Sequence, residues 1–254
     1  MSEVPKPFSV LGLPVHLLND YSGWLRSRLQ QALGTHVVTL NAEMTMQAEC
    51  GADLAGVIHQ AELVIPDGAG VVLYLRLQGQ RIRRCPGIEL AESLLKSLGQ
   101  LEVGTRVFFY GGAPGLAEAA AAIWQKQASS LSVVGTTHGY LSPAEEEKLR
   151  QTLIQLQPQL ILVGLGVPRQ ELWIAQNRFL CPQATWIGVG GSFDVWAGVK
   201  SRAPAWLADN NLEWLYRLYQ EPWRWRRMLA LPKFAWKALV YRLSKRYQIR
   251  QHVQ

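Results

Sequence analysis

The chain has 254 residues, 48% of them hydrophobic, and a formal net charge of +7 at pH 7, enough to bury a full core as one large or two small domains. Cys50, Cys85 and Cys181 lie far apart with no C-x-x-C pair, which argues against a zinc site or a disulfide framework and fits a reducing cytoplasm. No run approaches the roughly 18 apolar residues of a membrane span, and the Pro-broken N-terminus does not read as a secretory leader.

The excess charge has an address. From Pro222 to Gln254 there are nine Lys or Arg and no Asp or Glu, so this tail is +9 and the remainder of the chain is −2.

In chain order, Phe8 to Leu17 reads as a Pro-spaced strand or hairpin. Tyr21 to Leu33 has helical spacing at Trp24, Leu25, Leu29 and Leu33, with Gly34 as its expected C-cap. His36 to Asn41 is a strand that ends in polar residues, so Thr39 and Asn41 fall at its tip; a helix is expected from about Ala52 to Ala61. Leu63 to Ile65 is short, β-branched and uninterrupted, as suits a strand covered on both faces, and Pro66-Asp67-Gly68 stops it. In open α/β sheets ligands sit beyond the carboxyl ends of the strands, which would aim Asp67 into a crevice. An ordinary capping role for Asp67, a strand role for Thr39 and a helix N-cap for Asn41 are the competing local readings.

Gly68 to Leu77 and Gly87 to Leu98 are expected helices. The basic link between them carries Arg81, Arg83 and Arg84, either a solvated face or a group able to meet phosphate. From Arg106 onward strand and helix alternate. Arg106 to Tyr110 leads into Gly111-Gly112 and a helix through Gln127; Leu131 to Gly135 leads into a helix from Pro143; Leu160 to Gly164 leads into Gly166 and a helix; Thr185 to Val189 leads into Gly190-Gly191 and Asp194. This alternation predicts an α/β, Rossmann-like fold with a mostly parallel sheet and helices on both faces. The glycine turns place N–H groups and helix N-termini where a phosphate-bearing molecule can bind, although none completes a dinucleotide fingerprint and no Walker lysine follows any of them.

Beyond residue 206 the pattern changes. We expect an α/β core over 1–206 and a basic helical appendage over 207–254. In the appendage Leu212, Leu215, Tyr216 and Tyr219 share a face with Arg217 off it, and Arg224 and Arg227 are i, i+3 neighbours able to grip a diphosphate. Farther on, Trp236, Leu239, Val240, Leu243 and Tyr247 form an apolar stripe beside Lys233, Lys237, Arg242, Lys245 and Arg246. A basic amphipathic helix of this kind lies well on an anionic membrane surface; docking on the protein's own core is the alternative.

Taken together, several segments resemble the WecG/TagA/CpsF glycosyltransferases (glycosyltransferase family 26). They are Thr39-Leu40-Asn41, Pro66-Asp67-Gly68, Phe109-Tyr110-Gly111-Gly112, the run from Gly164 to Glu171, the run from Gly188 to Asp194, Leu212 to Arg217, and Glu221-Pro222 with Arg227. The match runs in order over nearly the whole chain; Val167 and Ala42 are small departures. The resemblance implies inverting transfer of N-acetylmannosamine or a related sugar from a UDP-sugar donor to a polyprenyl-diphosphate-linked GlcNAc acceptor, in cell-surface polysaccharide or wall polymer synthesis. It implies a protein that is cytoplasmic and peripheral on the inner face of the cell membrane. Asp67 would be the general base, with Asp194 in reserve. Thr39, Asn41 and Gln170 would position the substrates, Gly111, Gly112, Gly166 and Gly190 would line the binding turns, and Arg217, Arg224 and Arg227 would meet diphosphate. No D-x-D pair occurs, so neither a metal nor another cofactor is expected. A nucleotide-cofactor oxidoreductase and a nucleic-acid-binding module built on the tail are the rival readings; the first lacks its fingerprint glycines, and the expectation is no nucleic acid. A homo-oligomer is compatible with all of this.

Overall fold

The computed structural model describes residues 4–101, 104–204, 206, 207, 210 and 212–251, with side chains as far as 241 in the last helix. A hairpin of β1 (Lys6–Val10) and β2 (Leu13–Leu17) precedes α1 (Tyr21–Gln30). There follow β3 (Thr35–Leu40), α2 (Ala42–Cys50), α3 (Ala52–Gln60), β4 (Leu63–Pro66), α4 (Ala69–Leu77) and α5 (Gly87–Leu98). The second half runs β5 (Arg106–Gly111), α6 (Leu116–Gln127), β6 (Ser132–Thr137), α7 (Pro143–Leu156), β7 (Leu160–Gly164), α8 (Arg169–Asn177), β8 (Thr185–Gly188) and α9 (Ser192–Trp196). The C-terminal segment carries α10 (Glu213–Gln220), a 3-10 turn at Pro222–Arg224, α11 (Trp225–Met228) and α12 (Ala230–Gln251).

The six strands β4-β3-β8-β7-β5-β6 form one parallel sheet, and the hairpin is antiparallel. Because side chains alternate along each strand, the sheet feeds separate layers. Val37, Ile65, Phe109, Leu162 and Ile187 pack with α1, α5, α6 and α9. Val38, Leu40 and Val64 pack with α2, α3 and α4, while Phe108, Tyr110, Val163 and Trp186 pack with α7 and α8. The Rossmann-like expectation holds, with helices on both faces.

Three local expectations change. α1 ends at Gln30, not Leu33, because Ala32 turns left-handed (φ 52°) and the Leu33 N–H returns to the Arg28 carbonyl. α2, which the sequence reading passed over, starts on Asn41, whose Oδ1 accepts from the Met44 N–H at 3.0 Å. In the tail, Phe234 is buried against the cluster that holds Tyr74 and Val71, so α12 docks on α2 and α4. It does so through Leu231, Phe234, Ala238 and Tyr241, a different face from the expected stripe. Trp236, Leu239 and Val240 of that stripe remain exposed, whereas the side chains of Leu243, Tyr247, Arg242, Lys245 and Arg246 lie outside the described ones.

Candidate functional site

The sheet order decides which strand tips meet. After β4 the chain leaves one edge of the sheet and resumes at β5 near the other, so the adjacent tips of β4, β3, β8 and β7 enclose a crevice that α10 and the turn after it roof over. This cleft, about 200 Å³, is lined by Thr39, Asn41, Asp67, Gly166, Gln170, Gly190, Arg217, Arg224 and Arg227 among others. Gly111 and Gly112 stand apart from it, because β5 is the next strand out. There a Cβ on Gly111 would lie 2.4 Å from the Gly164 carbonyl, so this glycine serves the close approach of β5 to β7. Asp194 is also set back, its carboxylate held 3.1 Å from Lys200, which does line the cleft.

Asp67 follows directly from the pairing of β3 with β4: its N–H bonds the Leu40 carbonyl at 3.0 Å, which fixes the tip. Its Oδ1 accepts from the N–H of Gly87, the first residue of α5, at 3.2 Å. That approach requires a glycine, since a Cβ at position 87 would come within 2.7 Å of Thr39 Cγ2. Burial pushes the Asp67 carboxyl up to about 6; Arg217, the Gly87 N–H and Arg84 pull the other way, and Glu213 adds to the rise.

The other acids of the cleft are tied to cations. Glu213 accepts from Arg84 at 2.8 Å and from Arg217 at 2.5 Å; Glu221 accepts from Arg224 at 2.8 Å and from Lys200 at 3.1 Å; Glu43 accepts from Arg227 at 2.6 Å. Among the described residues Asp67 is the one lining carboxylate outside an ion pair. Burial, followed by the Arg227 charge beside it, lowers the pKa of Arg224, so the two guanidiniums are close enough to feel each other. Of the basic link, Arg84 turns inward to Glu213 while Arg81 and Arg83 stay exposed.

Gln170 does not point an open amide at the cleft. Its Oε1 takes the N–H groups of both Gly166 (3.2 Å) and Gly190 (3.0 Å), and its Nε2 donates to Glu171 (3.0 Å). Glu171 in turn meets His36 Nε2 at 2.8 Å, with both side chains nearly inaccessible. A buried chain thus pins the turns after β7 and β8 to each other. Those two glycines sit at φ 75° and 53°, a left-handed conformation that glycine adopts without steric cost. The sequence reading missed His36, Glu43, Glu213 and Glu221. Glu213 and Glu221 stand in segments that carry the family resemblance, and their i, i+4 and i, i+3 spacings to Arg217 and Arg224 were the signal that could have given them a role.

α10 presents Glu213, Tyr216, Arg217 and Gln220 to the cleft and leaves Leu215 and Tyr219 outside, so Tyr216 belongs with Arg217 and not with the apolar face. The Tyr216 hydroxyl lies 2.7 Å from Ser201 Oγ. The helix expected from Leu207 to Tyr219 begins only at Glu213, with Leu212 as its N-cap and Asn210 in a turn. No helix among the described residues is long and apolar enough to cross a membrane, and no group of three His, Cys, Asp or Glu there is placed to hold a metal ion.

Known proteins resemble this chain over most of its length. A family model, that of the glycosyl transferase WecG/TagA/CpsF family, matches residues 8–248. The N-acetylglucosaminyldiphosphoundecaprenol N-acetyl-beta-D-mannosaminyltransferase of Bacillus subtilis is 33% identical over 219 residues, 86% of this chain and 84% of that one. The protein of the same name from Bacillus spizizenii is 35% identical over 238 residues, 93% and 91% of the two chains.

Proposed function

Because the chain belongs to the WecG/TagA/CpsF family of glycosyl transferases, we propose that it moves N-acetylmannosamine, or a related sugar, from a UDP-sugar to a polyprenyl-diphosphate-linked N-acetylglucosamine. The observation that carries the chemistry is Asp67, the lining carboxylate left outside an ion pair, with its pKa raised to about 6. An ordinary aspartate is a weaker base; one at about 6 is still mostly ionised at neutral pH and accepts a proton more readily.

In the proposed step Asp67 takes the proton of the acceptor hydroxyl as its oxygen forms a bond to the anomeric carbon of the donor sugar. The bond from that carbon to the diphosphate oxygen breaks on the opposite face, and the electron pair leaves with UDP, so the configuration inverts. Arg217, Arg224 and Arg227 meet the charge that builds on the diphosphate, as guanidinium forks do. Thr39 and Asn41, on the neighbouring tip, hold donor and acceptor against Asp67. Gln170 acts one layer back by fixing the two turns. Asp194, engaged by Lys200, remains the reserve base.

Peripheral attachment to an anionic membrane is part of the same proposal. It is supported by α10, whose outward residues Leu215 and Tyr219 are 46% and 82% exposed, and by the exposed Trp223, Trp225 and Trp236 beside them in the basic tail. The test of the reaction is a screen of UDP-sugars against a GlcNAc-diphospholipid, with and without EDTA. UDP-N-acetylmannosamine should give a disaccharide-diphospholipid in both conditions. No transfer from any UDP-sugar would refute the reading, and loss on chelation restored by Mn²⁺ would refute its metal independence.

A further inference from the structure

A second concavity, about 770 Å³, runs between α4 and α12 and ends at Trp214 of α10. It is within the size range of small-molecule sites. Among the described residues no Asp, Glu, Lys or Arg lines it, although the helix that forms one wall is rich in Lys and Arg. Leu73, Leu77 and Leu239 at its rim are 59%, 51% and 50% exposed, and Phe234 closes its floor. Contiguous apolar surface of this extent, left open to water, marks a place that something apolar covers.

What covers it follows from what it adjoins. A smaller recess of about 140 Å³ shares Ala69, Gly70, Trp214 and Leu231 with the groove, and Asp67, Arg217, Arg224 and Arg227 with the cleft. One path therefore leads from the charged cleft through the recess to an apolar trough. We infer that the trough holds the isoprenoid chain of the acceptor where it leaves the diphosphate, an inference that rests on the transferase reading above. The acceptor's own order is sugar hydroxyl, diphosphate, isoprenoid, so an acceptor whose hydroxyl meets Asp67 can run its diphosphate through the recess and its chain into the trough. With the sugar at Asp67 and the acceptor's own diphosphate in the recess, where Arg84 joins the arginines that face the donor, the chain has an apolar exit and need not cross the charged ring. The groove thereby selects a lipid-linked acceptor over a free sugar diphosphate.

The test compares wild type with Ala235→Trp, which fills the groove from an exposed position on α12, and Leu73→Gln, which makes its rim polar. Each is assayed with two GlcNAc-diphosphate acceptors, one carrying a long prenyl chain and one a methyl group. The ratio of kcat/KM for the prenyl over the methyl acceptor should fall about tenfold or more in each variant. A ratio that stays at the wild-type value, or both acceptors failing in parallel, overturns the inference. Independently of turnover, a benzophenone-bearing prenyl diphosphate should photolabel wild type within residues 69–78 and 231–241, and more than a benzophenone-bearing fatty acyl phosphate does. Labelling elsewhere, none at all, or equal labelling by the acyl probe overturns it as well. Wild type that labels in the groove yet transfers no sugar would sink the transferase reading and leave the groove standing. Transfer without discrimination between the acceptors would sink the groove alone.

Discussion

Asp67→Asn should yield an enzyme that is nearly inactive and more stable than the wild type. The carboxyl rises from 3.8 to about 6 on folding because burial disfavours its ionised form. A folded pKa above the unfolded one means the native state holds its proton longer. Stability therefore falls as pH climbs from about 4 to about 6, and the full cost is borne above that. The difference corresponds to about 3 kcal/mol at neutral pH. Asparagine keeps the shape and an oxygen for the Gly87 N–H but carries no charge. It should recover part of that cost, a rise in melting temperature of roughly 3–8 °C for a chain of this size. Thermal unfolding of both proteins at pH 7 and at pH 4 tests the sign: the gap should be present at pH 7 and shrink toward pH 4. Turnover should fall about a hundredfold or more with donor binding retained, and in the wild type kcat/KM should drop roughly tenfold per unit below pH 6. Near-normal turnover in the Asn variant would move the base to Asp194. A melting temperature unchanged at pH 7, or a gap independent of pH, would refute the account of the raised pKa.

Gly87→Ala should displace Thr39, which a Cβ there would approach to 2.7 Å, at a cost of about 1–3 kcal/mol and with loss of turnover; calorimetry and an activity assay read the two effects, and an unperturbed enzyme would refute the fit. Gln170→Leu leaves the Gly166 and Gly190 N–H groups without their shared acceptor. It should lower stability by about 1–3 kcal/mol and kcat more than donor affinity is lost, whereas a pure rise in KM would mean that Gln170 contacts the donor directly. Trp236→Asp with Val240→Asp alters only exposed positions of α12 and should weaken sedimentation with anionic liposomes without unfolding the protein; unchanged sedimentation would shift the membrane face elsewhere. Deleting the whole tail from Lys233 is a poorer experiment, because Phe234 is part of the core.

The layering of strands and helices was legible in the sequence because the buried strands are short, largely apolar runs that stop at glycine turns or, for β3, at the polar Asn41. Residues 42–50 were not, since Ala42, Met44, Met46 and Ala48 alternate with Glu43, Thr45, Gln47 and Glu49 in the period of a strand. That segment is nonetheless a helix, capped by Asn41, with Thr45 buried alongside the apolar residues. The tips that carry Thr39, Asn41 and Asp67 could be placed from strand ends alone. Which other tips join them depends on strand order, a long-range property, and this is why Gly111 and Gly112 were grouped with a cleft they do not line. The apolar spacing of the last helix was visible too. Having two apolar faces, it gave no indication of which one the body of the protein would take.

The carboxylates that hold the arginines alter what the cleft attracts. Arg84, Arg217, Arg224, Arg227 and Lys200 already have an acid within reach, so a diphosphate competes for them with Glu213, Glu221 and Glu43. Affinity is then a difference between two anions, so a lone phosphate gains little while a ligand that replaces several carboxylates at once gains much. In the proposed transfer the same acids would speed departure, since each guanidinium would return to a tethered partner as UDP leaves. Such a site would behave less like a sink for phosphate than like an exchange, its internal salts yielding to the right nucleotide and re-forming behind it.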